Sequence, residues 1–464
     1  MPVRAFVLAA FLVASTAQAA DFGKSAFREI YREMVEIDSS PTTGSCTKVV
    51  SAAEARLKAA GFAADDLHVV IPENKPDDGN IVARIRAPGA KKKGVLLLAH
   101  IDVVDAKRAD WERDPFKLIE EDGFFYGRGA SDDKAMAAVF LDLMLRLKAE
   151  RGFKPRRDLL MALTCGEETS SRVNGADYLL KNHRELIDAA FALNEGAGGL
   201  LSSDGQKHLV LQVQVGEKVH QVFSLEVTNK GGHSSRPERD NAIYRLAHAA
   251  QRIEELAFPL ELTPVMREYF RVTGPTLGDD IGAAMTAVAK DPNDQAALET
   301  LTNDPSYNAL LRTTCVATQL DAGHAPNALP QRATAILSCR VMQGTTPEQV
   351  KATLEKAVAD EQVKVSIVRR RDGSKAPELT DEVMKPIRAT TAKMWPGVPV
   401  APVMLAGATD GRFLMAAGIP TYGVSGMFDV PGEDNAHGLN EKIRAASLYE
   451  GREFLEAIVR AYAK

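Results

Sequence analysis

An α/β fold, a mixed and largely parallel sheet flanked by helices, is predicted from three observations. Apolar strand-type runs alternate with amphipathic helical patterns from Phe22 to about Gly216, and the same texture returns from residue 372. Several runs end in His, Asp or Glu where a turn residue is usual. The intervening stretch has a different order, strand-helix-strand-strand-helix-strand, which is that of a ferredoxin-like α+β unit inserted into the first.

The elements follow in chain order. Arg4, the apolar "AFVLAAFLVA" and an Ala17-x-Ala19 site read as a signal peptide over residues 1–19, cleaved after Ala19. That core is too short to serve as a stable membrane anchor, and no later run is long enough to span a bilayer. "NIVARIRA" and "GVLLLAH" read as strands, and "DDKAMAAVFLDLMLRLKAE" has helical apolar spacing. "DLLMALTC" and "AAFALNE" are further strands, with a helix near "NGADYLLKN" between them.

In the inserted unit, "QVFSLEVTNK" is a strand and "NAIYRLAHAAQRIEELA" a helix, while "TTCVATQL" and "RATAILSCRV" form a hairpin. "TPEQVKATLEKAVA" is a helix capped by Thr346 with Pro347 at its first position, and "VKVSIVRR" closes the set. Phe258 to Leu311 is read as an elaboration of this unit.

Composition narrows the function. With 45% hydrophobic and 26% charged residues and a net charge of -5, the 464-residue chain has a soluble globular profile. It lacks the clustered cations that nucleic-acid binding needs, and Lys91–Lys93 beside Pro88-Gly89 reads as a solvated turn. Four scattered cysteines are too few for a disulfide scaffold. Export permits one bridge, between Cys315 and Cys339 across the expected hairpin, with buried free thiols as the alternative. Cys165 is expected to be a buried structural thiol.

The chemistry gathers at strand ends: His100 and Asp102 after "VLLLA", Asp132 in "YGRGASDDK", Glu167 and Glu168 after "LLMALTCG", Glu195 after "FALN", and His437 in "EDNAHGLNE". In open α/β sheets, sites collect at the carboxyl edge of the strands. Carboxylates crowded there repel unless a cation lies among them, and two cations relieve the repulsion better than one. Taken singly, each residue has an ordinary explanation, such as a core histidine, a helix cap or a solvated helix start.

Taken in order, H-x-D-V, G-R-G-x-x-D-D-K, Glu-Glu, an acid at the next strand end and A-H-x-x-N-E resemble the co-catalytic zinc peptidases of clan MH, family twenty. That family includes glutamate carboxypeptidase, carboxypeptidase S, aminoacylase and carnosinase-type dipeptidases. The resemblance covers nearly all of the chain after the leader. It implies a catalytic domain in two parts, 20–217 and 372–464, with a lid and dimerisation domain at 218–371. It also implies two Zn2+ per subunit (Co2+ or Mn2+ as alternatives), held by His100, Asp132, Glu168, Glu195 and His437, with Asp132 shared. Glu167 is then the general base, and Asp102 takes the second ring proton of His100. Imidazole and carboxylate ligands suit zinc.

Further positions follow from the same resemblance. His233 in "NKGGHSSRPE" steadies the oxyanion, typically across a dimer. Asn327 and Arg340 hold a substrate carboxylate. Thr409 and Arg412 in "GATDGRF" stand beside the substrate or at a helix start. The implied activity is hydrolysis of an amide next to a free carboxylate, in small peptides or N-acyl amino acids, by an exported homodimer. Glutamate at 195 leans towards the carboxypeptidase S-like and aminoacylase-like branches, because carnosinase-type dipeptidases, the alternative, usually carry aspartate there. The alternative of another class is an inactive relative used as a binding module, which predicts a lost ligand or base.

Overall fold

A computed structural model describes residues 23–371, 373 and 375–464; the expected signal peptide lies outside the described residues. Ten strands form the large sheet, in the order Leu67–Val70, Asn80–Ile85, Leu159–Thr164, Val95–His100, Phe191–Asn194, Thr421–Gly423, His208–Glu217, Gly199–Leu201 and Phe428–Asp429, with Val400–Leu405 branching onto His208–Glu217. The centre is parallel: Val95–His100 runs alongside both Leu159–Thr164 and Phe191–Asn194. Antiparallel pairing appears towards the edges, as between Asn80–Ile85 and Leu159–Thr164.

Every residue of Val95–His100 and Leu159–Thr164 is buried, because helices cover both faces. That explains why these strands read as continuous apolar runs without alternation. On one face lies the helix Lys134–Ala149, apolar almost all round and buried accordingly. On the other, Gly175–Asn182 packs Ala176 and Leu179 against Leu96, Leu98 and Leu160. Asn174 caps this helix by accepting from Asp177 N at 2.9 Å.

The second sheet orders Thr314–Ala322, Arg332–Val341, Val219–Thr228 and Val363–Arg369, all antiparallel. Burial alternates strictly along Arg332–Val341, the mark of a sheet covered on one face. The covering helices are Ala242–Glu254 and Pro347–Val358, which share a core with the strands. Thr346 and Gln349 form a reciprocal capping box at the start of the latter helix. The segment read as an elaboration packs elsewhere. Its helices Pro264–Leu277 and Asp280–Lys290 place Met266, Phe270 and Met285 against Val210, Val403 and Met404 of the large sheet.

All four cysteines are bridged. Cys315 and Cys339 are direct cross-strand partners and form one disulfide. Cys46 and Cys165 form the second, which corrects the expectation of a free buried thiol at Cys165. The partners lie 119 residues apart, and the packing of the Cys46–Ala59 helix against the Asn80–Ile85 strand, which itself pairs with Leu159–Thr164, brings them together.

Candidate active site

The carboxyl edge of the parallel strands collects the expected residues. His100 is the last residue of its strand, Thr164 ends the neighbouring one, and Glu195 follows the next. After Thr164 the chain turns at Gly166 with φ +83°, where a Cβ would lie 2.4 Å from Val173 O. Only glycine fits this turn, which delivers Glu167 and Glu168 over the sheet edge.

Two ligand groups result, one of His100, Asp132 and Glu195 and the other of Asp132, Glu168 and His437, each with its ligand atoms within 4.8 Å of one another. Asp132 belongs to both: Oδ1 lies 2.9 Å from His100 Nε2 and Oδ2 lies 3.1 Å from His437 Nε2. His437 Nε2 also stands 2.8 Å from Glu168 Oε2, and His100 Nε2 stands 3.6 Å from Glu195 Oε2.

The electrostatics reflect the crowding. Burial, reinforced by neighbouring carboxylates, pushes the carboxyls of Glu167, Glu168 and Glu195 up. Burial would likewise raise Asp132, but hydrogen bonds from His100 and His437 outweigh it and hold this carboxylate low. Burial works to lower His100, yet the charges of Glu195 and Asp132 carry it well above the usual imidazole range. His437, hydrogen-bonded to Asp132 and Glu168, is raised to about 10. Four acids and two imidazoles thus share protons where divalent cations would replace them. The donor set, neutral imidazole with carboxylate oxygens and one shared carboxylate, fits a pair of borderline-hard divalent ions.

The supporting contacts differ in one respect from expectation. His100 Nδ1 meets the main-chain oxygen of Asp102 at 3.0 Å, while the Asp102 carboxylate lies 3.7 Å from it. That carboxylate instead accepts from the backbone N–H groups of Glu167 and Glu168, at 3.2 and 3.1 Å. Asp102 therefore ties the Glu167–Glu168 loop to the end of the His100 strand, and its carbonyl orients the imidazole.

Glu441, the last residue of "AHGLNE", was given no role from sequence. It is buried and accepts from Gly129 N (2.9 Å), Ser131 N (2.9 Å), Ser131 Oγ (3.0 Å) and Asp132 N (3.0 Å), and it pairs with Arg128 at 2.8 Å. It holds the loop that presents Asp132. Asp410, also buried, accepts from Thr164 Oγ1 at 3.0 Å and from Asn174 Nδ2.

Of the residues expected around the substrate, Arg412 and Arg340 join the site. Arg412 Nη1 is 3.9 Å from Glu167 Oε1, and the Arg340 guanidinium feels the Glu167 charge. Thr409 is buried and engaged with protein: its hydroxyl donates to Glu217 at 3.0 Å and accepts from Asn194 Nδ2 and Gly411 N. It supports the start of the Gly411–Ala416 helix and leaves no hydroxyl for substrate. His233 lies on an exposed two-stranded ladder opposite Ala328, and the exposed Asn327 just precedes that strand, its main-chain oxygen accepting from Ser234 N at 3.1 Å. Among the described residues no contact joins that ladder to the carboxylate cluster. A cavity of about 220 Å³ opens on Asp132 and Glu195, with Phe124, Met136, Met427 and Phe428 in its wall.

An α/β sheet with histidines and carboxylates grouped this way at its carboxyl edge defines a metal-dependent hydrolase of the peptidase or amidohydrolase kind. The chain belongs to peptidase family M20/M25/M40, whose model matches residues 96–461. It is 30% identical over 377 residues to the N-fatty-acyl-amino acid synthase/hydrolase PM20D1 of Xenopus tropicalis, covering 79% of this chain and 70% of that protein. It is 29% identical over 328 residues to the probable carboxypeptidase S-like 2 of Dictyostelium discoideum, covering 69% of this chain and 62% of that one. The crystal structure of the metallo-carboxypeptidase Sso-CP2 from Sulfolobus solfataricus superposes with a TM-score of 0.69 at 21% identity, covering 94% of this chain and 99% of that chain. The family resemblance of the motifs is borne out.

Proposed function

We infer that this protein is an exported dinuclear zinc hydrolase that cleaves an amide bond next to a free carboxylate, in small peptides or N-acyl amino acids. One observation carries the reading: two three-residue ligand groups share Asp132, and Glu167, on the same loop as Glu168, belongs to neither. His100, Glu195, Glu168 and His437 complete the two sets. Bound there, the cations supply Lewis acidity, polarising the amide carbonyl and acidifying the attacking water. Glu167 takes the proton from that water and delivers it to the leaving amine. Arg340 holds the substrate carboxylate through its planar fork.

The division at 218–371 makes the second sheet a lid. Its exposed edge strand carries Val316 and Leu320 at 61% and 63% exposure, which supports a homodimer in which His233 and Asn327 of one subunit serve the other. Two disulfides support export, in keeping with the signal peptide expected from the sequence. The relationship to PM20D1 and the apolar wall of the neighbouring cavity favour N-acyl amino acids; dipeptides are the second reading. The inactive-relative alternative is disfavoured because every ligand and the base are competent residues.

The test is zinc content together with hydrolysis of a panel of dipeptides, longer peptides and N-acyl amino acids. About two zinc ions per chain and turnover of substrates with a free carboxylate are expected. Less than about one ion per chain, with no turnover after zinc or cobalt addition, refutes the reading.

A further inference from the structure

Around Glu167 the lid's sheet and the catalytic sheet bring together more cations than one carboxylate requires. Arg340 pairs with His220 across two antiparallel strands. The next residue, Gln221, grips the backbone of Arg371, accepting from Arg371 N at 3.1 Å and donating to Arg371 O. This fixes Arg371 just beyond the Val363–Arg369 strand, two residues after Arg369, which pairs with Val222 and so shares the face of His220 and Arg340. Arg412 reaches in from the catalytic part, with Nη1 3.9 Å from Glu167 Oε1 and its buried Nε unpartnered among the described residues.

The four groups sense one another. Burial and then the charges of Arg412 and Arg369 hold Arg371 down to about 10, and burial and then Arg412 lower Arg340. Burial followed by the Arg340 and Arg371 charges drops His220 to about 4, so it is neutral at neutral pH and adds no charge of its own. Facing the arginines among the described residues are Glu167, Glu217 and Asp410, the last already held by Thr164 and Asn174. Glu167 is the base of the function inferred above, and Glu217 is occupied by Thr409 and raised to about 7 by burial. Three half-buried guanidiniums repel one another, and an anion placed among them removes that repulsion. One substrate carboxylate takes the fork of Arg340. Two forks remain.

We propose that Arg371, with Arg412, forms a second anion-binding position beside Arg340, so that the preferred substrates release an amino acid with an acidic side chain. The preference is for a dicarboxylic leaving group such as glutamate or aspartate over its neutral amide. This rests on the hydrolase reading and adds Arg371 as a specificity-determining residue. None of the sequence motifs includes it, and it lies at the hinge where the lid chain returns to the catalytic sheet.

The experiment compares kcat/KM of the zinc-loaded full chain on N-acetyl-glutamate and N-acetyl-glutamine, which have nearly the same shape. A charge-assisted contact predicts a preference for glutamate of roughly tenfold to hundredfold. Arg371→Ala should bring the ratio down by roughly tenfold or more, and Arg371→Lys should restore part of it. Calorimetric binding of glutarate and butyrate reads the same position without turnover: glutarate should bind more tightly, and Arg371→Ala should erase the difference. A wild-type ratio near one, or a ratio unchanged in Arg371→Ala, overturns the proposal. If neither compound is hydrolysed, the hydrolase reading is at fault, and the calorimetry decides the anion position alone: glutarate binding no tighter than butyrate overturns it.

Discussion

Glu441→Gln is the most informative single substitution, because it keeps the shape of a buried side chain and removes one charge. In the native site, one carboxylate oxygen accepts from Ser131 N, Ser131 Oγ and Asp132 N, and the other accepts from Gly129 N and Arg128 Nη1. A glutamine can keep one oxygen set only. Its NH2 must then face two donors, one of them the buried Arg128 guanidinium. Leaving one member of a buried ion pair alone costs about 3–5 kcal/mol. The lower end, about 3 kcal/mol, is the working figure, because the glutamine keeps one of the two oxygen sets.

That loss falls on the Gly129–Asp132 loop and therefore on Asp132, the proposed shared metal ligand. Zinc affinity, measured by competition with a chelator, should fall by roughly 10–100-fold, the usual effect of losing a partner behind a ligand. Thermal unfolding should shift down by several degrees. Glu121→Gln, at the surface pair with Arg113, is the control and should change stability by less than about 0.5 kcal/mol. Zinc affinity within about twofold of wild type, with unchanged unfolding, would refute the role given to Glu441.

Four further outcomes are expected. Glu167→Gln should retain both metal ions and lower kcat by roughly 10²–10⁴-fold; wild-type turnover, or parallel loss of metal, removes Glu167 from its role as base. In the metal-free protein His437 is raised to about 10, so it is protonated at pH 7. Zinc binding should then release about one proton or more per chain, read by calorimetry in buffers of different ionisation enthalpy; no release counts against His437 as a ligand. Because the folded pKa of His437 lies above its unfolded value, its contribution to metal-free stability is full below about pH 6.5. That contribution is lost as pH rises towards about 10, and denaturation midpoints across this window check it. Finally, replacing Cys46 and Cys165 together by serine should destabilise the protein by about 2–4 kcal/mol, seen in the denaturant midpoint; an unchanged midpoint would show that the bridge carries no stability.

The strands and the candidate ligands were legible for a common reason. A strand buried on both faces must be apolar, so a His, Asp or Glu at its end stands out against the run before it, as His100 does after Leu96–Ala99 and Glu195 after Phe191–Leu193. Glu441 sat inside a quoted motif, yet nothing local showed that its carboxylate gathers five donors from a loop some 310 residues away. For Thr409 the choice between a place beside the substrate and a helix start stayed open, because sequence does not reveal that Glu217, the end of another strand, takes its hydroxyl. The Asp102 contact was assigned to the wrong oxygen, since a carboxylate two residues from an imidazole gives no sign of which of its atoms the ring meets.

What the sequence determined by itself was the alternation of apolar runs and helices, the turn chemistry, and the types of residue brought to each strand end, because periodicity and composition act over a few residues. The tertiary structure alone decided the partnerships between distant segments: Cys46 with Cys165, Glu441 with the Asp132 loop, the Pro264–Leu311 helices with the large sheet, and Arg371 with Arg340 and Arg412. Those depend on which surfaces pack together, and packing is settled by the burial of whole elements, which no short stretch of chain encodes.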